Sequence, residues 1–155
     1  MRLSSSVIGS VAVLGLGCES STEPLRELRL EIEPDRAEWV VGESVGATVR
    51  VINLTDEPVT LTGNTCFVTL TIVDDDGRNR TPLMACRDIG REYPLAGHGT
   101  LELEVEWDGR LIEPASLLTR PAEPGVYYLR GELNASQGHR STPAVPVLLR
   151  TSAPQ

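Results

Sequence analysis

The sequence predicts an all-β protein, an antiparallel β-sandwich of seven to eight short strands. Three observations predict it. Apolar and polar residues alternate with a period of two from residue 25 onward, the pattern of strands with one face in a core and one in water. Turn signals built on glycine, proline and aspartate separate these runs. A chain of 155 residues with 40% hydrophobic and 23% charged residues has the size and composition of one globular domain.

The elements follow in order. Leu28, Leu30 and Ile32 alternate with Arg29, Glu31 and Glu33. After the Gly42-Glu43 turn, Val45, Ala47, Val49 and Val51 alternate with Gly46, Thr48, Arg50 and Ile52. Beyond Asp56-Glu57-Pro58, the set Val68, Leu70 and Ile72 alternates with Phe67, Thr69, Thr71 and Val73, up to the Asp76-Gly77 turn. The clearest run follows Gly97-His98-Gly99: Leu101, Leu103, Val105 and Trp107 occupy one face, and Glu102, Glu104 and Glu106 the other. A helix would scatter those glutamates around its circumference. Asp108-Gly109 then opens the longest connection, residues 108–124, in which 115–119 read as one helical turn. Past Pro124-Gly125, the residues Tyr127, Leu129 and Leu133 share a face with Gly131 between them. Val145, Val147 and Leu149 give a last strand, and Pro146 confines it to an edge or to its own start.

Only 4% of residues are aromatic, so the core is built from aliphatic side chains. Trp107 and Tyr127, each in phase with the apolar face of its strand, are the predicted core anchors. Trp39 lies in a less periodic stretch and is expected to be partly exposed. Ile52 and Leu148 are apolar but out of phase, the first places to look for an exposed apolar patch.

The chain divides into residues 1–17, 18–24, 25–150 and 151–155. Arg2 and the ten-residue, largely apolar run 7–16 have the shape of a signal-peptide core, too short for a membrane-spanning helix. Leu14-Gly15-Leu16-Gly17-Cys18 resembles the lipobox of bacterial lipoproteins, with Gly15 where leucine is usual. That resemblance implies cleavage before Cys18, lipidation of its thiol and a membrane anchor. An ordinary signal peptide cut nearby is the alternative. Glu19, in place of the aspartate that retains lipoproteins in the inner membrane, implies an outer-membrane location facing the periplasm or the cell surface. Residues 18–24 read as a polar tether, 25–150 as the β-sandwich domain and 151–155 as a loose tail.

With Cys18 lipidated, Cys66 and Cys86 remain as a pair in an exported protein, where disulfides persist. A hairpin centred on Asp76 sets the two directly opposite each other, within bridging distance. Two free buried thiols are the alternative.

The chemistry-bearing motifs are few. The G-x-S-x-G string Gly42-Glu43-Ser44-Val45-Gly46 leads from a turn into an alternating strand and not from a strand into a helix, so it is no nucleophile elbow; the sequence has no metalloprotease helix motif, no phosphate-cradling glycine loop and no C-x-x-C pair. His98 and His139 sit in glycine-containing turns, and a hydrolytic site would require one of them within about 3 Å of an acid or hydroxyl in a cleft. Asp74-Asp75-Asp76-Gly77 reads as a solvated turn, without the alternating ligands of a calcium loop. Asn53-Leu54-Thr55 and Asn134-Ala135-Ser136 match the glycosylation pattern. The net charge of −8, with all 14 basic residues arginine, argues against nucleic acid as a partner. The reading is of a non-enzymatic protein with no catalytic, cofactor or metal residues.

Four segments carry a family resemblance. They are Val49-Arg50-Val51-Ile52-Asn53-Leu54-Thr55-Asp56-Glu57-Pro58-Val59-Thr60-Leu61, then Thr71-Ile72-Val73-Asp74-Asp75-Asp76-Gly77, then Leu95-Ala96-Gly97 leading into Leu101 and on to Trp107-Asp108-Gly109, and Pro124-Gly125-Val126-Tyr127. In this order they resemble the BsuPI-type intracellular proteinase inhibitor family. The resemblance implies an immunoglobulin-like β-sandwich and a protein partner, with a serine proteinase as the partner type. The export signal and the cysteine pair are additions to that family's pattern. A structural or accessory subunit of an envelope assembly is the alternative function. Replacing Cys18 with alanine is expected to move the protein from the detergent phase to the aqueous phase in a detergent partition of cell envelopes.

Overall fold

The computed structural model describes residues 25–151. They form eleven strands and, among the described residues, no helix: β1 Leu28–Pro34, β2 Glu38–Val40, β3 Val45–Asn53, β4 Val59–Val73, β5 Arg91–Leu95, β6 Thr100–Trp107, β7 Arg110–Ile112, β8 Thr119–Pro121, β9 Gly125–Ala135, β10 Gly138–Ser141 and β11 Val145–Arg150. Seven of these have five or more residues. The predicted seven to eight strands undercount the chain because β2, β7, β8 and β10 are too short to show a period. A three-stranded sheet runs β1-β3-β6, a larger one runs β2-β11-β9-β4-β5 with β10 against β9, and β7 pairs only β8. The all-antiparallel expectation is corrected at one place: β2 pairs β11 in parallel, Trp39 beside Leu149.

The two larger sheets share a core. Val45, Ala47 and Trp107 of the small sheet cluster with Leu70, Ile72, Leu129, Val147 and Leu149 of the large one. A second cluster joins Leu28, Leu30 and Val51 to Leu61, Phe67, Leu95 and Leu133. The alternation read in β3 is exact in burial, with Val45, Ala47, Val49 and Val51 all enclosed. Trp107 and Tyr127 are buried and meet edge to face, ring centroids 5.4 Å apart. Each polar tip finds a carbonyl: Trp107 Nε1 donates to Arg110 O at 2.6 Å and Tyr127 Oη to Glu123 O at 3.0 Å. Burial pushes the Tyr127 phenol above its ordinary range. Trp39 is also buried, contrary to the expectation of partial exposure. The parallel pairing with β11, invisible to local periodicity, turns it into the core.

At Gly131 the large sheet approaches the small one closely. A Cβ there would lie 2.8 Å from Val49 Cγ2, so β9 approaches β3 only because the side chain is missing. Pro146 is the second residue of β11, at a position that β2, paired with residues 148–150, does not reach. The expected helical turn at 115–119 is part of the β7–β8 hairpin loop. Leu117 N–H does bond Glu113 O at 2.8 Å, but Leu117 then takes φ +58°, which ends any helix.

Residues equidistant from Asp76 face one another at both ends of the hairpin. Near the turn Val73 bridges Asn79, and Arg80 N–H donates to Ile72 O at 2.8 Å. At the far end Cys66 and Cys86 form a disulfide with Cα atoms 5.4 Å apart. Beside it Thr65 N–H donates to Arg87 O at 3.2 Å, and Arg87 N–H to Thr65 Oγ1 at 2.7 Å. Reducing this bridge, or replacing both cysteines by serine, is expected to lower the free energy of unfolding by about 3 kcal/mol. Denaturant unfolding with and without reductant checks it.

Candidate functional site

Between its two fixed ends the hairpin opens. Thr81 meets β4 through its hydroxyl, which accepts from Ile72 N–H at 2.8 Å. Pro82 has no N–H to continue the ladder. Leu83 and Met84 then lie 78% and 60% exposed, far above what apolar side chains of a settled strand show. The gap leads into a groove of about 480 Å³ between the middle of β4 and the edge of β6. Val68, Leu70, Leu83 and Met84 supply one wall, and Val105 and Trp107 the other.

β6 pairs β3 along one side, and among the described residues no strand pairs its other side. Its phase is fixed by neighbouring contacts. Asn53 N–H donates to Gly99 O at 3.0 Å, and Asp35 N–H to Gly46 O on the far side of β3. Odd residues of β3 therefore bond β6, and the backbone groups of Glu102, Glu104 and Glu106 point to the open side. Leu101, Leu103 and Val105 are only half-buried, so the core is incompletely covered along this edge.

The outer face of the same edge is acidic. Arg50 donates to Glu33 at 2.5 Å and to Glu102 at 2.7 Å, and the hydrogen bond to Glu102 is the first cause that raises its pKa. Among the described residues, Glu104 and Glu106 have no arginine or histidine partner. They border a depression of about 500 Å³ with Asp35 and Ser44. Gly46 forms its floor, and the Asp35 carboxylate occupies the space that a Cβ there would take.

Arg80 anchors the groove from behind. Its side chain, 12% exposed, donates to Ile112 O at 3.1 Å and to Asp74 Oδ2 at 3.3 Å. Its backbone carbonyl accepts from Ile112 N–H at 2.9 Å. The hairpin of β7 and β8 is thereby held against the turn that carries Leu83 and Met84. The tip of that second hairpin exposes Leu117 and Leu118, 64% and 68%.

The other residues singled out in the sequence are placed as follows. His98 Nε2 lies 2.7 Å from Asp56 Oδ1, but both side chains stand in solvent. His139 Nε2 lies 2.9 Å from Glu132 Oε2, with the histidine largely exposed at the rim of a shallow hollow beside Asn64 and Asn134. Each histidine thus has an acid within reach, and His98 is in no cleft. The carboxylates of Asp74, Asp75 and Asp76 approach within 4.8 Å of one another. Arg80 holds Asp74 and Arg78 holds Asp76, which makes the group a turn with its own counter-charges. Asn53 is buried, and its side chain bonds Glu57 O, Ala96 O and Thr55. Asn134 bonds Cys66 O. Asn53 and Asn134 are thus committed to the fold. Cys18 lies outside the described residues. Sequence patterning missed the groove itself. The one signal for it was Pro82-Leu83-Met84, an apolar pair directly after a proline in an otherwise polar stretch.

No family model matches this chain, and no curated protein matches it. Solved structures do. A β-glucosidase, EmGH1, from Erythrobacter marinus aligns with 79% of this chain and 15% of its own length, at 20% identity and a TM-score of 0.50. The alkylpurine DNA glycosylase AlkC from Pseudomonas fluorescens aligns with 81% of this chain and 31% of its own, at 14% identity and a TM-score of 0.47. Dimeric latent PorU from Porphyromonas gingivalis aligns with 81% of this chain and 10% of its own, at 16% identity and a TM-score of 0.46. The chain spans less than a third of each of these proteins, and the likeness to the first is one of fold.

Replacing Arg80 by alanine leaves the Ile112 carbonyl without its guanidinium donor and Asp74 without its counter-charge. It is expected to destabilise the protein by about 1–3 kcal/mol and to speed amide exchange at Ile112. Denaturant unfolding and hydrogen exchange check the two effects.

Proposed function

We propose that this chain is an exported envelope protein, lipid-anchored at Cys18, whose β domain binds another protein and catalyses no reaction. In this reading the domain is an immunoglobulin-like β-sandwich of the BsuPI type, and its partner is a serine proteinase. The observation that carries the binding role is the display of Leu83 and Met84 in water on a segment fixed at both ends. The disulfide holds one end, and Arg80 holds the other. An apolar pair presented on a fixed frame loses little entropy when a partner covers it. The Tyr127 hydroxyl bonded to the carbonyl four residues back supports the immunoglobulin-like assignment, since such corners recur in that architecture. The disulfide supports export.

A second reading, an accessory subunit of an envelope assembly, draws on the outer face of the large sheet. Val126 and Tyr128 are exposed there, and their cross-strand partners are Leu148 and Pro146. Leu148, out of phase in the sequence, belongs to that apolar strip.

The test is inhibition of a panel of serine proteinases by the purified protein and by an L83D/M84D variant. The wild type is expected to inhibit at micromolar concentration, and the variant at least tenfold more weakly. No inhibition by the wild type removes the proteinase as partner. Inhibition unchanged in the variant removes Leu83 and Met84 as the contact.

A further inference from the structure

We infer that the free edge of β6 receives an extended segment of the partner, added as a further strand of the three-stranded sheet, in which basic and apolar residues alternate. This deepens the binding role proposed above and rests on it.

Three features of the edge converge. The first is the backbone. Glu102, Glu104 and Glu106 turn their N–H and C=O groups to the side where, among the described residues, no strand pairs. An unpaired edge is a template for strand addition, and an added strand gains main-chain hydrogen bonds whatever its sequence. The second is the inner face. Leu101, Leu103 and Val105 are left half-buried, and next to Val105 the groove opens between Leu70, Leu83 and Met84. Side chains of an added strand that point inward meet apolar surface and complete a core that β6 leaves unfinished. The third is the outer face. Glu104 and Glu106 have no cationic partner among the described residues, and Asp35 adds a third carboxylate to the same depression.

Directly opposed side chains in paired strands lie about 5 Å apart. The outward residues of an added strand therefore face carboxylates, and lysine or arginine satisfies them. Successive residues of a strand point to opposite faces, so one stretch of chain meets both demands only if basic and apolar residues alternate. The phase also fixes which amides matter. In an antiparallel addition, the residue opposite each glutamate is the one that exchanges hydrogen bonds with it. Those are the basic residues.

The experiment uses the full chain purified in mild detergent and a labelled peptide with the core Lys-Val-Lys-Val-Lys-Val between Gly-Ser ends, read by fluorescence anisotropy. The peptide is expected to bind, more weakly as salt rises, and at least tenfold more weakly to an E104K/E106K variant with an unchanged melting temperature. Glutamate in place of the lysines is expected to abolish binding. N-methylation of the lysine amides keeps every charge and is expected to abolish binding, whereas N-methylation of the valine amides is tolerated. Equal binding of the two methylated peptides overturns strand addition, as does the absence of binding by the parent peptide. If the variant does not fold, the methylated peptides decide the matter on the wild type. The two readings fail separately. A proteinase complex indifferent to saturating peptide overturns the edge as the seat of binding and leaves the binding role. Peptide bound with the expected methylation pattern, and no proteinase inhibited, upholds the edge and removes the proteinase.

Discussion

One register relation governs the exposed side of the large sheet. Positions equidistant from Asp76 are held opposite each other by Val73 and Asn79 at the turn and by the Cys66–Cys86 bridge at the far end. Had the returning chain kept that register throughout, it would have closed the flank of β4 as an ordinary hairpin strand. Pro82 prevents this by withholding a donor, and the Thr81 hydroxyl takes the Ile72 N–H in place of the Arg80 carbonyl, which accepts from Ile112 N–H instead. The segment must still span the same distance between fixed ends, so it stands away from β4 and carries Leu83 and Met84 with it. The groove, its exposed apolar wall and its access to the β6 edge all depend on a strand that is pinned twice and broken in the middle.

The architecture was legible wherever a strand has one wet face and one dry face. In β3 and β6 the alternation in the sequence is the alternation in burial, and Trp107 and Tyr127 lie where their phase put them. The disulfide was legible because a turn centre and two cysteine positions suffice to set a pair opposite each other. The motif segments also proved to interlock. Asn53 bonds Ala96 and His98 bonds Thr55 at one end of the molecule, while Gly109 O accepts from Ala122 N–H near Trp107 and Tyr127 at the other. Those residues organise turns, and so the motifs spoke of fold and said little about the site. What stayed hidden had no local period. The three-residue strand β2 is defined by a parallel partner more than a hundred positions away, and only that partner turns Trp39 inward. The β7–β8 hairpin is too short for any alternation to show. The groove arises from pairing that is absent, and no pattern in a sequence records a missing hydrogen bond.

Charge in this chain acquires meaning from its neighbours. There are 22 acids, and most of the conspicuous ones have been neutralised. Arg80 and Arg78 occupy the Asp74 and Asp76 carboxylates, and Arg50 ties Glu33 to Glu102 across three strands. The run of aspartates that looked most like a ligand set in the sequence is therefore the less available one. Glu104 and Glu106, which read as the solvated face of a strand, keep their charge free beside an edge. With arginine as its basic residue, the chain has planar guanidinium groups that can each hold two acceptors at once, as Arg50 and Arg80 do, and among the described residues Glu104 and Glu106 are left without such a partner.

These glutamates also answer the hazard of an open edge. A bare strand rim invites a second copy to pair with it. Antiparallel pairing of two β6 edges would set rows of glutamates against each other, like charges in directly opposed positions, which is unfavourable. The same carboxylates that make the edge repel its own kind make it attract a strand of opposite sign. On that proposal a single feature disfavours pairing with another copy of this chain through this edge and favours a basic strand. Apolar residues at those positions would have offered no such discrimination, because the inner faces of two copies are equally greasy. Selectivity at this edge comes from the even-numbered residues of β6, and the drive to cover it from the odd-numbered ones.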